Sequence, residues 1–332
     1  MILRKVGAAL AAGCTIIAKP SPETPLTTLM LARLATEAGF APGVFNVITT
    51  STKNTPRLSE ALCKHPLVKK VSFTGSTAVG SIIIKNCADG IKKVTLELGG
   101  NCPFIVFDDC NQEHALAQLR ALKWRHAGQA CVTANRVYVQ DGIYEEFVEK
   151  LVQAARVLKL GHGLEDDTNL GPLTTSRGVT KAQAHVQDAV SKGATVAFGG
   201  RTGQDLGLDG YFFEPTVLRD VTESMDITQE ETFSPVLAVY RFKTEEEVVQ
   251  AANDTSMGLA SYFFTRDVSR TWRMLENLEA GMIGMNSGNS SAAEVPFGGM
   301  KASGYGKESG KDVAVEEYLV SKTGTLTLED HF

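Results

Sequence analysis

The sequence predicts an α/β protein built on a parallel sheet. Three observations carry that reading. Short β-branched, apolar runs alternate with longer helix-like stretches along most of the chain. The helix-like stretches are long enough to serve as crossover connections between parallel strands. No internal repeat, low-complexity tract or Pro/Ser-rich linker interrupts the alternation. At 332 residues the chain has room for roughly two domains of about 150 residues.

Taken in order, "MILRKVGAALAAGC" resembles a signal peptide, with a basic patch, an apolar stretch and small residues before a cysteine. Its Ala- and Gly-rich part runs directly into the strand-like "CTIIAKP", which favours a buried helix followed by a strand. The next pairs are the helix "TTLMLARLATEAG", the strand "VFNVITT" with the helix "TPRLSEALCKH", and the strand "VKKVSFTGS" with the helix "AVGSIIIKNCAD"; "KKVTLELGG" closes this first series. The glycine pair Gly99–Gly100 is the best domain boundary. After it come "CPFIVFDD" and "NQEHALAQLRALKW", then "NRVYVQ" and "YEEFVEKLVQAARVL". Further strands are expected at "TVAFGG", "EPTVLRDV", "PVLAVYRF", "LASYFFT" and "GMIGMN", with helices over 174–192, 245–253 and 268–278. The terminal "EEYLVSKTGTLTL" alternates and is β-branched. It reads as a strand without a hairpin partner, the kind that pairs with another chain.

Composition narrows the function. With 43% apolar and 21% charged residues the chain has the balance of an ordinary globular protein. A net charge of −5, with no basic stripe interleaved with aromatics, argues against a nucleic-acid partner. No uninterrupted apolar run approaches the roughly 18 residues of a membrane span. Cys14, Cys63, Cys87, Cys102, Cys110 and Cys131 include no Cys-x-x-Cys and the histidines are scattered, so no metal site is expected. A chain of this length builds a core without staples, so reduced thiols and a cytoplasmic location are expected, with the mitochondrion as the alternative.

Several stretches bear chemistry, each with an ordinary reading beside the functional one. "FTGSTAVGS" lies between a strand and a helix, where exposed N–H groups suit a phosphate. It lacks the Lys-Ser/Thr of a Walker loop and is not Gly-x-Gly-x-x-Gly, so a tight capped turn serves as well. In "LELGG", Glu97 ends an apolar strand; it either reaches solvent or a salt bridge, or is buried with a raised pKa that suits a base near neutral pH. The acids of "EETFSPV" read as a solvated loop and "VPFGGMKASGYG" as a long surface turn. Cys131, in "KWRHAGQACVTANRV", is a core hydrophobe by default. Its small neighbours and Gly128 also permit an irregular loop–helix junction where N–H groups stabilise a thiolate.

Together and in this order, "KPSPETP", "FTGSTAVG", "LELGGN", "AGQAC", "EETFSPV" and "PFGGMKASGYG" resemble the aldehyde dehydrogenase superfamily, from about residue 1 to 328. The resemblance implies an incomplete Rossmann-type cofactor domain over 1–99, an α/β catalytic domain over 100–298, and a C-terminal segment with an oligomerisation strand over 299–332. It makes Cys131 the nucleophile and Glu97 the general base. The implied reaction is NAD(P)-dependent oxidation of an aldehyde: a thiohemiacetal on Cys131, hydride loss to the nicotinamide, then hydrolysis of the thioester by water that Glu97 activates.

By the same resemblance Lys19 contacts the adenosine ribose. Gly75, Ser76 and Gly80 lie near the pyrophosphate, and Glu231 and Phe233 hold the nicotinamide ribose and ring. Members restricted to NAD often carry a glutamate where this chain has Pro22. Without that carboxylate, and with Ser21 able to donate, NADP is expected to be accepted and even preferred. The closest subfamily resemblance is to succinate-semialdehyde dehydrogenases, in which two arginines and a serine hold the substrate's far carboxylate; Arg4, Arg125 and Ser291 match. Arg suits a carboxylate because its fork binds it bidentately. His126 in place of Asn, Ser234 in place of Gly and the polar "NSGNSS" depart from that subfamily, and Thr133 stands where some members have a second Cys. The resemblance also implies that the chain begins well inside the cofactor domain. Its first strands, part of the oligomerisation hairpin and an oxyanion-binding asparagine would lie outside it. One lost oxyanion donor costs about 10²–10³ in rate. The competing expectation is therefore a weak or silent homologue, or another semialdehyde as substrate. A homo-oligomer is expected when the N-terminal part is present.

Overall fold

The computed structural model describes residues 1–328. Its elements, in chain order, are α1 (Ile2–Ala11), β1 (Ile16–Ala18), α2 (Leu26–Glu37), β2 (Phe45–Val47), α3 (Thr55–Lys64), β3 (Lys70–Thr74), α4 (Thr77–Ala88) and β4 (Lys93–Glu97). Then follow β5 (Cys102–Val106), α5 (Gln112–Lys123), β6 (Ala134–Gln140), α6 (Tyr144–Arg156), α7 (Ser176–Ser191), β7 (Thr195–Phe198), β8 (Thr216–Arg219), α8 (Asp226–Gln229) and β9 (Val236–Phe242). The chain closes with α9 (Glu245–Asn253), β10 (Met257–Gly258), β11 (Ala260–Phe264), α10 (Val268–Asn277), β12 (Met282–Met285), β13 (Met300–Lys301) and α11 (Asp312–Glu316).

The strands sort into two parallel pairs, a seven-stranded sheet and one short antiparallel pair. β1 pairs with β2, and β3 with β4. The large sheet runs β12-β11-β5-β6-β9-β8-β7, every neighbour parallel except β7 with β8. Its inner strands are covered on both faces, which is why "CPFIV" reads as a continuous apolar run with every residue buried. Pro103 has no N–H to give to the ladder, and the β5–β6 register shifts between Cys102 and Pro103. The guanidinium of Arg136 is wholly buried in β6. It donates to the carbonyls of Asn101 (2.9 Å), Ala251 (2.9 Å) and Ala252 (2.8 Å), tying the start of β5 to the end of α9.

The helices begin where side chains can cap them. Asn111, Thr175, Thr244 and Asp267 accept backbone N–H groups at the starts of α5, α7, α9 and α10.

Three expectations are corrected. The sheet is mixed, because β7 returns antiparallel onto β8. The terminal "EEYLVSKTGTLTL" forms no strand: Glu316 ends α11, and 317–328 contain no ladder. Alternation alone does not make a strand: side chains of β3 and β4 (Lys70, Lys93 and Thr95) reach Glu316, Glu317 and Leu319, but no backbone ladder forms. The glycine-rich "VPFGGMKASGYG" is not a free surface turn. Tyr305 and Ser303 carbonyls accept from Leu96 and Leu98 (both 2.9 Å), so this segment lines the outer edge of β4. Gly304, at φ +106°, makes that approach possible; a Cβ there would sit 2.1 Å from the Leu96 carbonyl oxygen.

Candidate active site

Glu97 is the last residue of β4 and is 1% exposed. Neither carboxylate oxygen has a hydrogen-bond partner in the protein. Burial, reinforced by the like charge of Glu308, pushes its pKa up to about 8; Lys5, Lys307 and Arg4 pull the other way. Lys5 on α1 pairs with the buried Glu308 and donates to Thr74 Oγ1 (2.7 Å). This ion pair beside Glu97 was missed in the sequence. Lys5 and Glu308 are some three hundred residues apart, and nothing local marks them as partners.

Cys131 follows α5 through a tight 3₁₀ turn, Arg125–Gly128. His126, Ala127 and Gly128 have φ of 55°, 51° and 73°. Three consecutive left-handed residues reverse the chain within one turn. A Cβ at Gly128 would lie 2.1 Å from the Ser234 carbonyl oxygen, so only glycine allows the two loops to touch. Gln129 braces the turn: its side chain donates to the His126 carbonyl (2.9 Å) and accepts from Thr174 N–H (2.9 Å) and Oγ1 (3.0 Å). Cys131 is a free, half-buried thiol. Its pKa is pushed up to about 11, first by burial and then by Glu231 and Glu97. The expected thiolate-stabilising loop–helix junction is therefore corrected: the residue leads into β6, and its thiol is protonated at rest.

Glu231 enters the same neighbourhood from the segment after α8. Its Oε1 accepts from Gly100 N–H (3.1 Å), and its main-chain carbonyl accepts from Lys181 (2.7 Å). Burial pushes its pKa up to about 7. Phe233 is held at φ 49° with its side chain 42% exposed, between buried Thr232 and Ser234. This is an aromatic ring presented to solvent at a backbone cost.

At the other end, Ala18 and Val47 close β1 and β2, and a cavity of about 290 Å³ opens beyond them. Ser21 lines it with Pro20, Pro22, Thr49, Thr50 and Ser51. Lys19 adjoins it, its ammonium donating to the Pro20 carbonyl (2.9 Å) and its pKa lowered by burial. Gly75 N–H is already committed to the Glu97 carbonyl (3.1 Å) and Gly80 N–H to Ser76 (3.0 Å). Ser76 caps α4 without a side-chain bond of its own, which leaves its hydroxyl and the first-turn N–H groups for a ligand.

Of the three residues expected to hold a far carboxylate, two meet. Arg4 Nη2 donates to Ser291 Oγ (2.9 Å), and its guanidinium lies 4.0 Å over the Phe297 ring. Arg4 also acts electrostatically on both Cys131 and Glu97. Arg125 is exposed and turns into a cavity of about 740 Å³ shared with Arg120, Trp124, His126 and Gln129. Neither Arg4 nor Ser291 lines that cavity. The left-handed reversal directly after Arg125 sets its direction.

A thiol in the loop before β6, a buried acid at the end of β4 and an arginine on α1, within electrostatic reach of one another in an α/β fold, define a class. The aldehyde dehydrogenase family model matches residues 1–324, and the chain belongs to that family. It is 50% identical over 323 residues to the mitochondrial succinate-semialdehyde dehydrogenase of Rattus norvegicus and 50% identical over 322 residues to the glutarate-semialdehyde dehydrogenase of Pseudomonas putida. These alignments take in 97% of this chain but 61% and 65% of those proteins. The crystal structure of succinate-semialdehyde dehydrogenase from Burkholderia pseudomallei superposes with a TM-score of 0.93 at 46% identity, covering 96% of this chain and 65% of that one. The chain thus spans less than two thirds of the length of the relatives it matches.

Proposed function

We propose that the chain carries the catalytic centre of an NAD(P)-dependent aldehyde dehydrogenase acting on aldehydes with a far anionic group, succinate semialdehyde first among them. The observation that carries this is the buried, unpartnered carboxylate of Glu97 in the electrostatic reach of the Cys131 thiol.

A thiol protonated to about 11 needs a base, and Glu97 is an unpaired carboxyl that becomes a carboxylate above about pH 8. Glu97 takes the Sγ proton as the sulfur adds to the carbonyl carbon, giving a thiohemiacetal. Oxidation at that carbon leaves a thioester on Cys131; Glu97, once it has released the first proton to solvent, takes a second from the water that hydrolyses the thioester, and the Cys131 thiolate leaves. Lys5 and Glu308, beside Glu97, tune how readily it holds those protons. The nicotinamide cofactor supplies the two-electron acceptor when bound.

The donor set fits that cofactor. Lys19 and the hydroxyls around the Ser21 cavity suit a ribose and its substituents, and no carboxylate lines that cavity. Ser76 and the start of α4 suit the pyrophosphate; Glu231 and Phe233 suit the nicotinamide end. The absence of a carboxylate from the lining of that cavity favours acceptance of a 2′-phosphate. Arg4 with Ser291 orients the far carboxylate, with Arg125 as a second cation at the approach. Relatives named for succinate and glutarate semialdehydes match at equal identity, so the anionic end, rather than chain length, is the feature this reading commits to. The division 1–99, 100–298 and 299–332 and a homo-oligomer built partly through the C-terminal segment belong to the same proposal.

The test is NAD(P)H formation with succinate semialdehyde and with butanal against both cofactors, Cys131→Ala serving as the blank. Turnover of the semialdehyde above butanal, lost in the blank, supports the reading. Equal turnover with and without Cys131 overturns it.

A further inference from the structure

Tyr262 sits in β11 with its side chain fully buried, yet its hydroxyl makes two hydrogen bonds. It lies 2.8 Å from the Val132 carbonyl oxygen and 3.1 Å from Ser290 Oγ. A carbonyl only accepts, so the single phenol proton goes to Val132. The Ser290 hydroxyl must then donate to the phenol oxygen. The result is a one-way relay from Ser290 to Tyr262 to the main chain of Val132. Val132 is bonded to Cys131. Ser290 is bonded to Ser291, whose Oγ accepts from Arg4. The segment 286–299 forms no helix or strand; Ser291 N–H donates to Asn289 Oδ1 (3.1 Å) and Gly310 N–H to the Ala293 carbonyl (3.1 Å), and the Ser290–Tyr262 bond anchors it from the sheet side.

We infer that Tyr262, with Ser290, is a positioning pair that sets the distance between the Cys131 sulfur and the Arg4–Ser291 anion clamp, and so sets selectivity for aldehydes bearing a carboxylate. Neither residue touches the reacting atoms. Burial pushes the Tyr262 pKa further up, so the phenol keeps the proton the relay needs. The inference rests on the proposed reading of Cys131 and Arg4, and it deepens that reading by naming what couples them.

A cofactor-free experiment on the 332-residue chain tests it. Alkylation of Cys131 by 4-iodobutyrate is compared with alkylation by the neutral 4-iodobutyramide. Both present the attacked carbon and the far group at the spacing of succinate semialdehyde. The amide rate reads the thiol alone; the ratio of rates reads the clamp. In the parent chain the carboxylate is expected to react faster, and Arg4→Met to bring the ratio near one. Tyr262→Phe and Ser290→Ala are each expected to lower the ratio about three- to tenfold, the scale of one hydrogen bond, with the amide rate little changed. Ser290→Ala alters a half-buried loop position and keeps the test open if Tyr262→Phe folds poorly. An unchanged ratio in Ser290→Ala overturns the inference. So does a variant in which both reagents slow together, which marks a purely structural role. A parent ratio near one overturns the carboxylate reading itself, a different result from either.

Discussion

At the scale of single residues, the site is a balance of buried charges. Glu97 is ordinarily ionised above about pH 4.5 but holds its proton to about 8 here. Between those values the folded chain binds a proton that the unfolded chain has released, so this residue makes stability fall as pH rises. Thermal melts of the parent and Glu97→Gln should therefore coincide near pH 4.5 and separate toward pH 9, with the variant the more stable. In turnover the same residue predicts a rate that climbs to an inflection near pH 8, and a loss of about 10²–10⁴ in kcat for Glu97→Gln. Glu308 raises the Glu97 pKa by like-charge repulsion. Glu308→Gln should shift that inflection to lower pH, and Lys5→Met should shift it higher; pH–rate profiles of the two variants check the sign. Ala127 is a second, separate case. At φ 51° and ψ 40° it pays for the reversal before Cys131. Ala127→Gly relieves about 1–2 kcal/mol of that strain against a smaller gain in unfolded-chain freedom, and should raise stability by about 0.5–1 kcal/mol in a denaturant titration.

At the scale of elements, periodicity and caps made most of the fold legible. The helix over 245–253 and the strands at "NRVYVQ" and "LASYFFT" stand where their patterns put them, because each buries a face the pattern defines. What stayed hidden was set by partners distant in sequence. β10 and β13 are two residues each and exist only because Met257 and Lys301 meet. α8 is a single turn. The terminal segment has the alternation of a strand but is held by side-chain contacts rather than by a ladder. The site divides the same way. Motif order pointed to Cys131, Glu97, Glu231 and Arg4, while the Lys5–Glu308 pair and the Tyr262–Ser290 relay are products of the folded chain alone. Arg136 shows how strongly one element depends on another. Arg136→Met leaves the buried Asn101 and Ala252 carbonyls without their donor, each worth about 1–3 kcal/mol, while Ala251 keeps the Tyr138 hydroxyl; a large drop in the denaturation midpoint followed by circular dichroism is expected.

At the scale of the whole molecule, the first and last parts of the chain form one wall. Lys5 meets Glu308, Lys70 meets Glu317, and the Cys14 thiol donates to the Tyr318 carbonyl (3.8 Å). A chain ended after residue 298 would keep Cys131, Glu97 and Glu231 yet lose the hydrogen-bonded edge of β4. Limited proteolysis should find such a product cleaved within β3–β4, where the full chain resists. That edge has a bearing on synthesis as well. A ribosome adds about 5–20 residues per second, so Leu96 waits on the order of 10–40 s for Tyr305 to emerge. During that interval a nascent β-edge is open to any passing strand. Chaperone capture of ribosome-bound intermediates, ending only when the final thirty or so residues are released, is what this late closure leads one to look for.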